Sequence, residues 1–347
     1  MIDVGLVGFG FAGRTFHAPV IAAVEGLRVA AILQRGGPEA QLAYPATPVV
    51  RTLEQLLAIE SIRLVVIATP NASHFDLVKL CLLAGRDVVI DKPFATTYAE
   101  AAELAQIADD KKRILSVYQN RRWDGDFLTV QRLLAEDKLG RVVMFESHFD
   151  RFRPQLKDSA WRERPEPGSG VLFDLGPHLI DQAMVLFGEP EAISADLRIE
   201  RDEASVDDAF DVVLHYPGKR ALLRAGMLVS TPTPRFVVHG SKGGYLKFGL
   251  DPQEDALKRG ETPAGEFWGH EAPERWGTLL EAQGDFFATD KLPTVPGDYR
   301  KYYQNVRDAI LGEAPLAVTA EQALRVMRAL ELAQESNRRR CLVPWKS

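Results

Sequence analysis

The segment Val4-Gly5-Leu6-Val7-Gly8-Phe9-Gly10-Phe11-Ala12-Gly13 sets G-x-G-x-x-G directly after a short apolar run and at the start of a helical pattern. Few folds admit that arrangement. The chain must turn tightly at Gly8, leave bare backbone at Gly10, and let a helix lie close against the strand at Gly13. The helix N-terminus turns unpaired N–H groups and a positive dipole end toward this loop, a seat for the phosphates of a dinucleotide. Gly8, Phe9, Gly10, Phe11, Ala12 and Gly13 are therefore the first candidate binding residues.

The following residues continue the design. Apolar runs at Val4–Val7, Val29–Leu33, Leu64–Ala68, Asp87–Ile90 and Ile114–Val117 alternate with amphipathic segments at Ala12–Val24, Leu53–Ala58, Ser73–Ala84 and Tyr98–Lys111. This is the pattern of a parallel sheet with crossover helices. Pro19 predicts a break or an irregular turn in the first helix. Gly36–Val50 is rich in Gly, Pro and Ala, so its helix is expected to be weak or missing. Beyond Tyr118 the pattern changes. Asp124–Glu136 and Val171–Phe187 read as helices and Arg141–Phe152 as a strand. Strand-like runs at Phe210–Tyr216, Ala221–Leu228, Arg235–His239 and Tyr245–Phe248 are separated by turn signals at hairpin spacing. Asp251–Pro296, dense in Gly, Pro and charge, reads as long loops. Helices near Tyr299–Leu311 and Ala320–Asn337 close the chain, the second with Thr319 as N-cap and Glu321 close behind. The expected fold is an α/β Rossmann domain with a parallel sheet over residues 1–120, followed by an α+β domain with a mostly antiparallel sheet over 121–347.

Composition narrows the function classes. A chain of 347 residues with 46% hydrophobic and 26% charged content is ordinary for a soluble globular protein of about two domains. The net charge of −6 argues against a nucleic-acid surface. Arg338-Arg339-Arg340 is short enough to be a helix end. Two cysteines, Cys81 and Cys341, make neither a disulfide framework nor a cysteine zinc site, and no histidine pair has metal spacing. No metal is expected. No uncharged apolar stretch approaches the ~18–20 residues that span a bilayer, and the start lacks the features of a secretory signal. The chain reads as cytoplasmic.

The end of the second strand should carry an acid if the dinucleotide has a free ribose 2′-hydroxyl. Here it reads Leu33-Gln34-Arg35-Gly36-Gly37, without a carboxylate. A guanidinium suits a 2′-phosphate, so Gln34 and Arg35 favour NADP over NAD, unless Arg35 is only a solvated turn residue. After the third of these strands, Ala68-Thr69-Pro70-Asn71-Ala72-Ser73-His74 offers Thr69, Pro70, Asn71 and His74 as a wall for the ribose or nicotinamide. Asn71 or Ser73 can also cap the next helix.

Asp91-Lys92-Pro93 ends the fourth of these strands. Lysine is poor core material and proline forbids an interior ladder position. The segment holds an amine at the carboxyl edge of the sheet, where ligands of open α/β sheets bind; alone, it is more often a solvated turn. Further on, Gly170-Val171-Leu172-Phe173-Asp174-Leu175-Gly176-Pro177-His178 places Asp174 and His178 four apart on a helix, hence on one face. A carboxylate beside an imidazole orients it and raises its basicity, as deprotonating an alcohol requires. Alone, the pair is more often a cap and a core histidine. Tyr118 and Asn120 end another strand and are candidates for the pocket, while Arg121 and Arg122 are open between pocket and structural ion pairs. Trp161 and Arg162 are similarly open between domain packing and a cofactor contact.

Together these motifs resemble the Gfo/Idh/MocA family of oxidoreductases across essentially the whole chain. The resemblance rests on the glycine loop, on Asp91-Lys92-Pro93 and on Gly170 to His178, in that order. Within the family, Phe16-His17-Ala18-Pro19, Ser116 to Thr129, Leu172 to Gln182 and Gly249 to Leu257 are similar to the NADP-dependent scyllo-inositol 2-dehydrogenase group. The resemblance implies a Rossmann domain, an α+β domain whose open sheet supports a homodimer or homotetramer, and a cleft between them. It also implies hydride transfer between NADP and a secondary alcohol of a cyclic polyol or sugar. In that reading Lys92, Asp174 and His178 are catalytic, Asp91, Lys92, Pro93, Trp161 and Arg162 touch the cofactor, and Tyr118, Asn120 and Arg122 touch the substrate. Asp91 departs from the family's usual glutamate. Reduction of another carbonyl or an imine, and non-catalytic NADP sensing, are the competing functions.

Overall fold

The computed structural model describes residues 1–156 and 163–346. The chain divides into two compact units: Met1–Asn120, Gln253–Trp268 and Asp298–Leu324 form one, and Arg121–Pro252, Gly269–Gly297 and Arg325–Ser347 form the other. The first unit therefore takes in two segments from beyond residue 120. Packing explains their return. Tyr302 and Tyr303 are buried, the Ser116 hydroxyl donates to the Val318 carbonyl (2.8 Å), and Arg63 donates to the Ile310 carbonyl (3.1 Å).

The first unit is built on six parallel strands: β1 (Ile2–Val7), β2 (Leu27–Leu33), β3 (Val49–Val50), β4 (Ile62–Ile67), β5 (Asp87–Ile90) and β6 (Leu115–Val117), in the order β3-β2-β1-β4-β5-β6. β1 and β5 are buried along their whole length, as befits parallel strands covered on both faces. The strand order reverses between β1 and β4, which places a ligand crevice at the carboxyl ends there. The first helix is irregular, as Pro19 predicts: a π-helical turn over Gly13–His17 leads into α1 (Ala18–Ala22). In the Gly- and Pro-rich stretch a five-residue helix forms, α2 (Glu39–Ala43). It is followed by α3 (Leu53–Leu57), α4 (His74–Leu83) and α5 (Tyr98–Lys111). Capping boxes start α3 (Thr52 with Gln55) and α5 (Thr97 with Glu100). Ser73, at the N-cap of α4, makes no cap bond with its side chain. Its hydroxyl goes instead to the Pro70 carbonyl (2.8 Å).

The second unit opens with α6 (Gly125–Ala135), then β7 (Val142–His148) and α7 (Gly170–Phe187). Its nine-stranded sheet adds β8 (Ala192–Arg198), β9 (Ala209–Tyr216), β10 (Lys219–Gly226), β11 (Pro234–Gly240), β12 (Gly243–Phe248), β13 (Gly277–Gln283), β14 (Phe286–Leu292) and β15 (Val343–Pro344). Only β7 and β10 pair in parallel; the other neighbours are antiparallel. β9 alternates buried and half-buried residues, the mark of a sheet with one covered face.

Asp251–Pro296 is not a run of loops. It contains α8 (Gln253–Lys258) and the β13–β14 hairpin, in which Gln283 pairs with Phe286 across Gly284-Asp285. A two-residue turn with glycine at φ +63° is a hairpin connection, masked in sequence by the surrounding charge. The chain closes with α9 (Arg300–Leu311) and α10 (Ala320–Arg339). Thr319 accepts from Gln322 N–H (3.2 Å), and the Gln322 side chain accepts from Thr319 N–H (3.3 Å), a capping box with Glu321 in the first turn.

Candidate functional site

Three glycines shape the turn after β1, each for a different reason. A Cβ on Gly8 (φ +95°) would lie 2.5 Å from the Ala68 carbonyl oxygen, and one on Gly13 would lie 2.1 Å from the Gly8 carbonyl oxygen. Those two are demanded by the protein's own packing. A Cβ on Gly10 would meet nothing within 4 Å. Gly10 borders a cavity of about 460 Å³ together with Gly8, Phe9 and Phe11. Bare backbone facing open space at this turn is what the close approach of a pyrophosphate requires. The residues present fit a dinucleotide.

The end of β2 forms the next wall. Arg35 is exposed and borders the cavity with Gln34. The Gln34 amide carbonyl accepts from Ala40 N–H (2.8 Å) and its NH₂ group donates to Glu39. Arg51 donates to the Gln34 carbonyl (2.7 Å). Two charged lining residues escaped the sequence expectations: Arg14, one residue past the third motif glycine, and Glu39, on α2. Leu33 to Gly37 carries no carboxylate, as its sequence says, and Glu39 brings one to the cavity from α2.

Thr69 and Pro70, following β4, complete the cavity. Asn71 is buried in the short 3-10 turn Asn71–Ser73. His74 is fully buried, its Nδ1 2.9 Å from the Pro93 carbonyl oxygen and its Nε2 2.9 Å from that of Thr69. The imidazole thus ties the loop after β4 to the loop after β5. Burial lowers its pKa, and the two carbonyls and the Asp91 charge restore only part.

Asp91, Lys92 and Pro93 stand at the carboxyl end of β5, with a cis bond between Lys92 and Pro93. Asp91 Oδ1 accepts from Lys92 N–H (2.8 Å). Asp91 Oδ2 lies 3.8 Å from Nε2 of His17, whose Nδ1 is 2.6 Å from the Tyr303 hydroxyl. Burial pushes the Asp91 carboxyl up, but His17, with Lys92 and His74, brings it below its ordinary value. A carboxylate is therefore kept beside the lysine. Tyr118 packs against His17 with ring centres 4.3 Å apart and the planes tilted by 41°, and its hydroxyl donates to the Phe16 carbonyl (3.1 Å). That bond supports the π-helical turn. Asn120 is buried at the start of the turn Asn120–Trp123.

In the second unit α7 carries Asp174 and His178. Its N-terminus is served from outside: the Asp207 backbone carbonyl accepts from Val171 N–H (2.8 Å) and its carboxylate from Leu172 N–H (2.7 Å). The helix runs through Pro177 without ending. Asp174 and His178 are one turn apart on it, and Asp174 forms an ion pair with Arg151 (3.8 Å), for which the sequence holds no signal. His178 is 5% exposed. Arg122 makes a bidentate pair with Asp181 of the same helix (2.7 and 2.6 Å). This pair ties Arg122 to α7. Arg121 likewise pairs with Asp124 (3.3 Å). Trp161 and Arg162 lie outside the described residues. No cluster of metal-ligating side chains occurs among the described residues, and no helix of these residues is long and apolar enough to cross a membrane.

Comparison with known proteins agrees with this geometry. Residues 2–119 match the GFO/IDH/MocA model described as oxidoreductase family, NAD-binding Rossmann fold. Residues 131–344 match the corresponding C-terminal alpha/beta domain. The chain is 47% identical to the uncharacterized oxidoreductase YdgJ of Escherichia coli (strain K12), over 98% of this chain and 97% of that protein. It is 36% identical to the scyllo-inositol 2-dehydrogenase (NADP(+)) IolW of Bacillus subtilis (strain 168), over 97% of this chain and 94% of that one. The YPO2259 structure from Yersinia pestis superposes with a TM-score of 0.94 at 45% identity, covering 99% of this chain and 97% of that one.

Proposed function

Because this chain belongs to the Gfo/Idh/MocA oxidoreductases, enzymes with a nicotinamide cofactor, we propose that it is an NADP-dependent dehydrogenase of a cyclic polyol or sugar. The secondary alcohol of scyllo-inositol, or the ketone of the matching inosose, represents the substrate class. The observation that carries this reading is the likeness to the NADP-linked scyllo-inositol 2-dehydrogenase over 97% of the chain. Arg35 at the cavity supports the choice of NADP.

The nicotinamide supplies the hydride acceptor or donor. The chain's residues manage the proton and the charge. His178 takes the hydroxyl proton in oxidation and returns it in reduction, with Asp174 one turn away orienting the imidazole. Lys92 hydrogen-bonds the reacting oxygen and stabilises its developing negative charge. Asp91, Pro93, Thr69, Pro70 and Asn71 border the nicotinamide half of the cofactor, with His74 behind them tying the Thr69 and Pro93 loops together, and Gly8 to Gly13 border its phosphates. Trp161 and Arg162 are further cofactor contacts, and Tyr118 and Asn120 belong to the substrate pocket. The same reading includes a homodimer or homotetramer, supported by the exposed Phe286 and Phe287 on β14, and a cytoplasmic enzyme.

Lys92→Ala and His178→Ala should each lower turnover on inositols by ~10²-fold or more while NADPH still binds. The assay is a panel of polyols, inososes, keto-sugars and cyclic imines run with NADP and NAD side by side. Near-normal turnover in both variants, or turnover confined to imines, refutes the reading.

A further inference from the structure

We propose that Glu39 is a cofactor-specificity residue, its carboxylate accepting the 2′-hydroxyl of NAD in the same pocket where Arg35 and Arg14 suit the 2′-phosphate of NADP. The inference rests on the cofactor reading above and deepens it, since the pocket then serves both dinucleotides.

An acid at the end of β2 is the usual partner of a free ribose 2′-hydroxyl, and Gln34-Arg35 offers none. The fold supplies one from five residues beyond Gln34. Gly37 has φ +82°, and a Cβ there would lie 2.2 Å from Glu39 Oε2. The positive φ favours glycine at this turn, and the Glu39 side chain folds back over it. Gln34 fixes the arrangement by donating to the Glu39 carboxylate while accepting from Ala40 N–H. Arg51 fastens the same loop through the carbonyls of Gln34 (2.7 Å) and Gly37 (3.3 Å). Glu39 borders the cavity alongside Arg14 and Arg35.

Its charge state suits the role. A hydrogen bond with its own backbone N–H holds Glu39 below the ordinary carboxylate value, with help from Gln34, Arg14 and Arg51. At neutral pH it is an anion that only accepts hydrogen bonds. A ribose hydroxyl can donate to it. A 2′-phosphate cannot, and is repelled by it while the two guanidinium groups attract. Arg35 and Arg14 thus favour one cofactor and Glu39 the other, so the chain discriminates less sharply than Arg35 alone implies.

The test is direct titration of the full chain with NADH and with NADPH, read by nicotinamide fluorescence, so that no substrate is needed. Glu39→Gln should weaken NADH by roughly tenfold or more, the effect of one lost bond to a charged group, and leave NADPH unchanged or tighter. Arg35→Ala should do the reverse. Glu39→Asp, which keeps the charge but withdraws its reach, should also weaken NADH. The proposal is overturned if Glu39→Gln leaves NADH affinity intact or weakens both cofactors equally. If the wild-type chain binds NADH but not NADPH, the NADP reading fails, while a selective loss of NADH in Glu39→Gln still upholds the role of Glu39.

Discussion

The three motif glycines are alike in sequence and unlike in the folded chain. Gly8 and Gly13 are glycine because carbonyl oxygens stand 2.5 and 2.1 Å from where a Cβ would be, whereas Gly10 faces empty space. Gly13→Ala should therefore act on the fold. Overpacking of this kind costs about 1–3 kcal/mol, visible as a lower Tm without any ligand. Gly10→Ala should leave Tm unchanged and weaken NADPH about tenfold, the order of ~1.4 kcal/mol of lost contact. Thermal melts with NADPH titrations separate the two, and a Gly10→Ala protein with a lowered Tm and full affinity refutes the assignment. The spacing rule identifies the loop but not which glycine meets the ligand, since that depends on how Ala68 and the helix close around it. The same holds for His17 and His74. Their positions near the loops are legible, but Asp91 and Tyr303 beside His17, and the Pro93 carbonyl beside His74, come from segments farther along the chain, while the Thr69 carbonyl is local to His74.

At the scale of elements, α7 shows what periodicity can and cannot convey. The helix, and the shared face of Asp174 and His178, follow from a spacing of four. What holds the helix does not. Arg122 and Asp181 are 59 residues apart, with side chains 10% and 4% exposed, and their bidentate pair anchors α7 three residues beyond His178. Removing one partner of such a pair leaves a buried charge uncompensated, at a cost of about 3–5 kcal/mol. Arg122→Leu alone should fall in that range by urea denaturation. Arg122→Leu with Asp181→Leu should recover most of it, because an apolar pair replaces both charges. A double variant no more stable than the single one would show that Arg122 does not act through Asp181. The β13–β14 hairpin teaches the complementary lesson: its alternation is too weak to read against its charge, and the ladder with β12 supplies what local propensity lacks.

For the molecule as a whole, the buried ionisable groups set how stability responds to acid. Burial holds His74 and His215 below their ordinary value of 6.5. The unfolded chain then takes up protons first, so their contribution is complete above about pH 6.5 and is lost as pH falls through the folded values. Asp91 and Asp150 are raised by burial but brought below 3.8 chiefly by His17 and His148 respectively. Their contribution is present above that value and disappears in stronger acid. Asp207 has the opposite sign: burial raises it, so it favours the folded chain as it takes its proton and that benefit fades as pH rises through its folded value. One group against four leaves acid destabilising. Tm should be flat from about pH 8 to 7, decline between about 6.5 and 5, and drop again below about 4. His74→Asn should lower Tm at neutral pH, because it breaks the tie between the β4 and β5 loops, yet flatten the decline between pH 6.5 and 5. His215→Gln, at a half-buried site, should remove a smaller part of the same decline. If both variants lose Tm with pH as steeply as the parent chain, the histidines are not the source of that limb, and the carboxylates must account for all of it.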